Sequence, residues 1–489
     1  MKSAGWLALL AICVPSAALA DEPSGLQAAI ALEQVLVEAI ARAEKSVVAI
    51  ARVRADVNRL DFTDENADDR PFVIPRFVLP KPDPTNPEFV PNEFGTGVVV
   101  DRAGLIVTNY HVLGDIAKSS YWVWVDRKPY KATVKAADPW FDLAVLKIDA
   151  SDLTPIPFGD AKQVKRGQIV ISLGNPQAIA RDGLPSASWG IVSNLSRKAP
   201  ASPDAPRTTA AESIHHYGTL IQTDAKLNLG TSGGALLNLK GEMIGLTTSL
   251  AALEGNDTAA GFAIPIDDAF QRTLESLKAG RKAEYGFLGI GPESLSPEDV
   301  RRGQVGVRVR QMVAGTPADR AGLQEGDIIA QIGGVAVHDS FELMRELSRL
   351  PADYEVSLVV QRPNRVTRRS DTLTKTVRLS KKHLANSRPE FASEPDPTWR
   401  GLRIDYATAV PRFGELTSLL DRDGCVAILD VTRDSPAWHA GLRPGMFLSH
   451  VNNKQVATPK EFFAEVTDKP GALRLRLTSG DVLVRTVAP

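Results

Sequence analysis

The chain has 489 residues, more than a single hydrophobic core accommodates, and its length points to about three domains. Hydrophobic residues make up 43%, charged residues 24%, and the formal net charge is −1, the balance of ordinary globular material. Such a balance argues against a nucleic-acid binder and against attachment to an acidic membrane surface.

Residues 1–20 read as a signal peptide. Lys2 supplies a positive start, Trp6 to Val14 an apolar stretch, and Ala18-Leu19-Ala20 a small-residue cleavage site before Asp21. The apolar run is shorter than the ~20 residues that span a bilayer, so no integral membrane segment is expected after its removal. Ile12 is a poor residue to precede a lipidated Cys13, and export is the better reading. Once Cys13 has left with the signal, Cys425 stands alone. No internal disulfide or cysteine-based metal site is then expected, and Cys425 reads as a small core residue.

Residues 21–45 read as an N-terminal helical segment, with Ser24 as N-cap and Leu26, Ile30, Leu36 and Ile40 at roughly helical spacing. Short β-type runs follow, among them Val47 to Ile50, Gly97 to Val100, Leu105 to Thr108, Tyr121 to Val125, Ala144 to Ile148 and Ile169 to Leu173. Gly, Pro and Asp punctuate them, which predicts a mainly β domain over 46–278. Residues 53–94 and 196–213, rich in Pro, Asp, Asn and Ser, read as long loops within it.

An internal repeat fills the C-terminal part. Thr316-Pro-Ala-Asp-Arg-Ala-Gly-Leu-Gln-Glu-Gly326 matches Ser435-Pro-Ala-Trp-His-Ala-Gly-Leu-Arg-Pro-Gly445 at an offset of 119. The same offset pairs Ile332 with Val451 and Val337 with Val456. Two units of this size are duplicated α+β domains, over 283–382 and 399–489, joined by a proline-rich linker at 383–398. Their second helices are predicted at 341–349 and 460–467.

Serine nucleophilic catalysis needs an exposed hydroxyl, a base and donors for the oxyanion. Gly230-Thr231-Ser232-Gly233-Gly234 offers the hydroxyl of Ser232, and its glycines allow the Gly230 and Ser232 amides to converge on one point. His111, at the end of the run Leu105 to Tyr110, is the candidate base. His338, His383, His439 and His450 fall in or beside the repeats, and His215 and His216, next to a polar loop, read as facing solvent. A carboxylate must orient the imidazole. Asp142 precedes the apolar strand Leu143 to Ile148, but by composition Asp138 and Asp149 are equal candidates. The chain order His, Asp, Ser is that of chymotrypsin-like double β-barrels.

Taken together, these segments make the sequence resemble the HtrA/DegP family of periplasmic serine proteases. The matching stretches are Gly95-Thr-Gly-Val-Val, Leu105-Ile-Val-Thr-Asn-Tyr-His-Val, Phe141-Asp-Leu-Ala-Val-Leu-Lys-Ile, Leu173-Gly-Asn-Pro, Gly190-Ile-Val-Ser, Leu220-Ile-Gln-Thr-Asp-Ala and Gly261-Phe-Ala-Ile-Pro. The resemblance implies a chymotrypsin-like double β-barrel followed by two PDZ domains, with His111 as general base, Asp142 as its partner and Ser232 as nucleophile. It implies an ATP-independent endoprotease for unfolded exported proteins, periplasmic or secreted, acting without metal or organic cofactor and assembling as a homotrimer or larger. The rival reading is a chaperone or peptide-binding scaffold with weak or no proteolysis.

Departures from the family pattern are Thr231, where Asn is usual, and Lys226, where Ala is common. Leu227 and Leu250 are expected to line an apolar substrate pocket, with Lys226 snorkelling to solvent. By resemblance the 53–94 loop is regulatory and the 196–213 loop a sensor. Tyr285-Gly-Phe-Leu-Gly-Ile290 resembles a PDZ carboxylate-binding loop, which makes Phe287, Leu288, Gly289 and Ile290 candidates for holding peptide C-termini. Arg400-Gly-Leu-Arg-Ile404 is expected to be its counterpart, with Arg403 in the place of Gly289.

Overall fold

The structure is a computed structural model that describes residues 25–54, 93–175, 184–198, 213–248, 260–364, 369–384, 389–411, 413–479 and 481–487, with Asp83, Asn86, Phe89 and Pro91. The signal-peptide reading, most of both long loops and Leu250 lie outside the described residues.

Helix α1 (Gly25–Ala43) precedes the first strands. Strands β1 (Val47–Arg54), β2 (Glu93–Val99), β3 (Leu105–Thr108), β4 (Ser119–Val125), β5 (Lys128–Asp138) and β6 (Leu143–Ile148) run in the order β5-β4-β1-β2-β3-β6. Pairing of β5 with β6 closes them into a barrel. A one-turn helix, α2 (Tyr110–Leu113), follows β3. Strands β7 (Ile169–Gly174), β8 (Ser186–Arg197), β9 (Leu220–Thr223), β10 (Ala235–Leu237), β11 (Met243–Thr248) and β12 (Gly261–Pro265) close a second barrel in the order β10-β11-β12-β9-β8-β7. Closure explains why β1 and β6 read as nearly unbroken apolar runs: one face of each fills the barrel, while the other face of β6 meets the seam between barrels and that of β1 is covered at Ala49 and Ala51 by Phe89 and Trp124. Val98, Val107 and Val145 from the first barrel meet Leu173, Leu237 and Leu246 from the second in that seam. Helix α3 (Asp268–Lys278) adds Phe270, Leu274 and Leu277, its start capped by the Asp267 carboxylate, which accepts from the Ala269 and Phe270 N–H groups.

The repeat is visible as matched register. The first unit contains β13 (Gly286–Phe287), β14 (Ile290–Ser294), β15 (Val307–Met312), β16 (Ile328–Ile332), β17 (Val335–Ala336), α4 (Ser340–Ser348), β18 (Glu355–Asn364), β19 (Arg369–Arg378) and β20 (Ser380–Lys381). Its main sheet runs β14-β15-β16-β18-β19. After β21 (Phe391–Ala392), the second unit contains β22 (Thr398–Trp399), β23 (Leu402–Tyr406), β24 (Val426–Val431), β25 (Phe447–Val451), β26 (Lys454–Gln455), α5 (Pro459–Val466), β27 (Leu473–Ser479) and β28 (Asp481–Val487). Its sheet runs β22-β23-β24-β25-β27-β28. Val307 pairs with Ile329 as Val426 pairs with Leu448, and Gln331 pairs with Ala336 as His450 pairs with Gln455, all at the offset of 119. Cys425 is buried against Phe413 and Phe447, in the core role expected of it, and burial pushes its thiol up to about 11.

The stretch between the repeats does more than connect them. Phe391 and Ala392 pair antiparallel with Ala137 and Ala136, so β21 extends the first barrel's sheet along β5.

Candidate active site

Local backbone rules place the histidine. β3 ends at Thr108, Asn109 stays extended, and α2 turns once before Gly114 ends it at φ 57°. Tyr110, Val112 and Leu113 are buried and anchor the turn that carries the His111 imidazole. Gly95 on β2 makes room for the turn: a Cβ there would lie 2.6 Å from Val112 Cγ1.

Asp142 heads β6 in a left-handed conformation, φ 55°, which Asp tolerates better than most residues. Its carbonyl accepts from the Tyr110 N–H (3.1 Å) and from Asn109 Nδ2 (3.2 Å). Its carboxylate accepts from the His111 N–H (3.0 Å) and lies 2.9 Å and 3.1 Å from His111 Nδ1. A carboxylate only accepts, so Nδ1 carries the hydrogen and Nε2 of the neutral ring keeps its lone pair. The two side chains are 8% and 7% exposed, so water competes little for the pair. Asp138 and Asp149 separate from it: Asp138 caps the Trp140 N–H and bonds to Tyr285, and Asp149 is exposed.

Ser232 sits in the loop between β9 and β10, and β2 holds that loop. Thr96 N–H donates to Ser232 O (2.8 Å), Thr96 Oγ1 to Gly230 O (2.7 Å), and Thr108 Oγ1 to Thr96 O (2.7 Å). Gly233, at φ 84°, has no space for a Cβ, which would land on Thr96 O and Thr108 Oγ1. Adjacent residues of one strand therefore serve both halves of the site: Gly95 seats the histidine turn and Thr96 seats the serine loop. Thr231 uses its hydroxyl locally, donating to Asn228 O (2.7 Å), which leaves the loop closed despite the β-branched residue. The expected continuous row of hydrogen bonds is only half made. His111 Nε2 is buried without a hydrogen-bond partner among the described residues, so the imidazole–hydroxyl link is absent in this conformation.

The structure corrects two expectations. His215 does not face solvent; it is 1% exposed, packed edge-on to Phe141 behind the Asp142 turn, whereas His216 is exposed. A polar loop beside it in sequence concealed its place on the 3-10 turn Ile214–Tyr217, where Ile214 and His215 point inward. Gly401, not Arg403, stands where the first repeat has Gly289. Gly289 O accepts from Val313 N–H and Leu288 O from Ala318 N–H, just as Gly401 O accepts from Thr432 N–H and Arg400 O from Ala437 N–H. The offset drops from 119 to 112 at this turn, because the second repeat carries seven extra residues between β23 and β24, in the 3-10-rich stretch 407–420. Thr96, Thr108 and Val112 also build the site, a role that their place in the matching stretches does not reveal.

The remaining candidates are placed as follows. Lys226 is exposed, as expected, and its carbonyl accepts from Ser188 Oγ (2.8 Å). Leu227 is half-buried against Gly261. In the first repeat Leu288 is buried in the unit's core, while Phe287 and Ile290 are half-buried. Gly289 turns at φ 91° against Thr316, and Phe287 meets Phe413 of the second repeat edge-on at 6.0 Å.

Two closed six-strand barrels with a buried His–Asp pair at the serine loop define a trypsin-like serine peptidase, here followed by a PDZ domain. The family profiles agree: a trypsin-like peptidase domain matches residues 95–246 and a PDZ domain residues 286–378. A probable periplasmic serine endoprotease DegP-like from Pseudomonas fluorescens is 30% identical over 373 residues, covering 75% of this chain and 72% of the relative. The periplasmic serine endoprotease DegP of Salmonella typhimurium is 28% identical over 394 residues, covering 79% and 74%. The chain belongs to the HtrA/DegP family of serine endoproteases. Among solved structures, the HtrA-type protease AlgW with tripeptide shares the fold at a TM-score of 0.50 and 24% identity, covering 71% of this chain and 97% of that one.

Proposed function

We propose that this serine endopeptidase cleaves unfolded exported polypeptides with Ser232 as nucleophile, His111 as general base and Asp142 as its orienting partner. The observation that carries the reading is the Nδ1-side commitment of His111 to Asp142, which leaves a buried basic Nε2 on the turn seated by Gly95, the neighbour in β2 of the Thr96 that holds the Ser232 loop. Substrate binding completes the Nε2–Oγ contact, as catalytic hydrogen bonds often tighten only in the substrate complex. Ser232 Oγ then attacks the scissile carbonyl while Nε2 takes its proton, and the Asp142 carboxylate stabilises the imidazolium. The Gly230 and Ser232 N–H groups receive the oxyanion. His111 returns the proton to the leaving amine, and water releases the acyl group by the same steps.

Leu227 and Leu250 favour small or medium aliphatic residues at the cleaved bond. The barrels form the protease domain, 46–278, and the matched register of the second repeat supports a second PDZ domain over 399–489. Both repeats keep the glycine turn of a carboxylate-binding loop, at Gly289 and Gly401, and so fit peptide C-termini. Residues 1–20 direct export to the periplasm, the location in the relatives' names. No helix among the described residues is long and apolar enough to cross a membrane. The chain assembles as a homotrimer or larger. Degradation of labelled casein, with and without peptides ending in apolar residues, tests the reading beside the Ser232→Ala variant. Wild type is expected to degrade casein, faster with peptide, and the variant not at all; equal rates favour the chaperone reading.

A further inference from the structure

Three successive carbonyls in the turn between β5 and β6 are held from outside that turn. Trp140 O accepts from the Ile214 N–H (2.9 Å), Phe141 O lies 3.1 Å from His215 Nε2, and Asp142 O accepts from Tyr110 and Asn109. A carbonyl only accepts, so His215 Nε2 carries the hydrogen. Nδ1 then accepts from the Thr219 hydroxyl, 2.7 Å away. The Phe141 and Asp142 carbonyls belong to the peptide planes on either side of the Asp142 Cα. Fixing both planes fixes φ and ψ at Asp142, a residue held at φ 55° where L-residues are disfavoured.

We infer that His215 is a positioning residue for peptide hydrolysis: its Nε2–H clamps the Phe141 carbonyl and keeps Asp142 in the turn that aims its carboxylate at His111. The inference rests on the assignment of His111, Asp142 and Ser232 as the reacting groups. Burial pushes the His215 imidazole below its ordinary value against the opposing pull of Asp142 and Asp267, and His111 adds to the lowering. The ring therefore stays neutral, and it does not compete with His111 as a cation for the Asp142 carboxylate.

His215→Phe keeps the ring and its contact with Phe141 but removes the donor; His215→Gln keeps a donor. Each is compared with wild type and Ser232→Ala in casein hydrolysis and in covalent labelling of the serine by a fluorophosphonate. In His215→Phe, kcat and the labelling rate are expected to fall roughly ten-fold with KM unchanged. The acidic limb of kcat/KM should move to lower pH, because the imidazolium loses its aligned carboxylate, and His215→Gln should recover most of the rate. A lowered melting temperature with unchanged kcat and pH profile would mean a purely structural histidine and overturn the inference. If His215→Phe does not fold, Thr219→Val decides: it frees Nδ1, and an unaltered profile there overturns the inference equally. An inert wild type would remove the catalytic assignment, and with it this one; an active wild type beside unaffected His215 variants removes this one alone.

Discussion

His111 spends one face of its ring on Asp142 and holds the other in reserve, and that asymmetry is the chemistry of the site. Replacing Asp142 with Asn preserves the left-handed turn, which Asn also tolerates, but offers an amide donor to Nδ1 and so favours the wrong tautomer. Asp142→Asn is expected to lower kcat about ten-thousand-fold with little change in melting temperature, measured by casein hydrolysis and thermal unfolding. Thr96 carries the other half: its hydroxyl donates to Gly230 O and accepts from the Asn175 N–H (2.8 Å). Thr96→Val keeps the shape and leaves both groups buried without that partner, so unfolding should become about 1–3 kcal/mol easier by denaturant titration. Ser232 and His111 were legible in the sequence because glycine flanks and a strand end are local signals. Composition alone left Asp142 level with Asp138 and Asp149, and only the family resemblance singled it out, because the choice depends on which carboxylate the β5–β6 turn swings toward α2. The role of Thr96 was hidden and His215 was misplaced to solvent for the same reason: their partners lie across the fold, at Gly230 and Phe141.

Strands and repeats were read more readily than the segments between them. The 119-residue offset returned as identical strand register because both units bury the same alternating positions. The shift to 112 at Gly401 left no trace in the hydrophobic pattern, since the inserted stretch consists of short 3-10 turns without a sustained period. β21 was equally silent: two residues in a proline-rich stretch carry no alternation to detect. It nonetheless fixes the stretch to the first barrel, with Phe391 against the barrel core, Ser393 N–H donating to Lys135 O, and Tyr110 Oη donating to Pro389 O (3.0 Å). Phe391→Gly removes the packing and loosens the strand. Stability should fall by about 1–2 kcal/mol, and hydrogen exchange at Ala137, which lies on the β21 side of β5 as Lys135 does, should quicken while β1 is unaffected. Unchanged exchange at that amide would show that β21 contributes nothing to the sheet.

Across the whole molecule, the protease and the first repeat meet at a buried acid. The Asp138 carboxyl bonds to the Tyr285 hydroxyl, Lys382 lies over the Trp140 ring at 3.8 Å, and Arg349 pairs with Asp267 at 2.6 Å. Burial pushes Asp138 up to about 7 from an ordinary 3.8, outweighing the bonds from Tyr285 and Trp140 that favour the carboxylate. An acid whose folded value is raised contributes stability that is complete below about 3.8 and lost as pH rises through about 7. Wild type should therefore lose melting temperature relative to Asp138→Asn across that interval, and a constant difference would contradict the assignment of the buried proton. No sequence pattern announces this joint, because the whole of the second barrel lies between Asp138 and Tyr285 in the sequence.

Mass spectrometry of the chain after exposure to a fluorophosphonate asks the most direct question of the catalytic assignment. A single adduct is expected on the Ser232 hydroxyl, lost in Ser232→Ala and strongly slowed in His111→Ala. An adduct elsewhere, none at all, or undiminished labelling of Ser232 without His111 would contradict it.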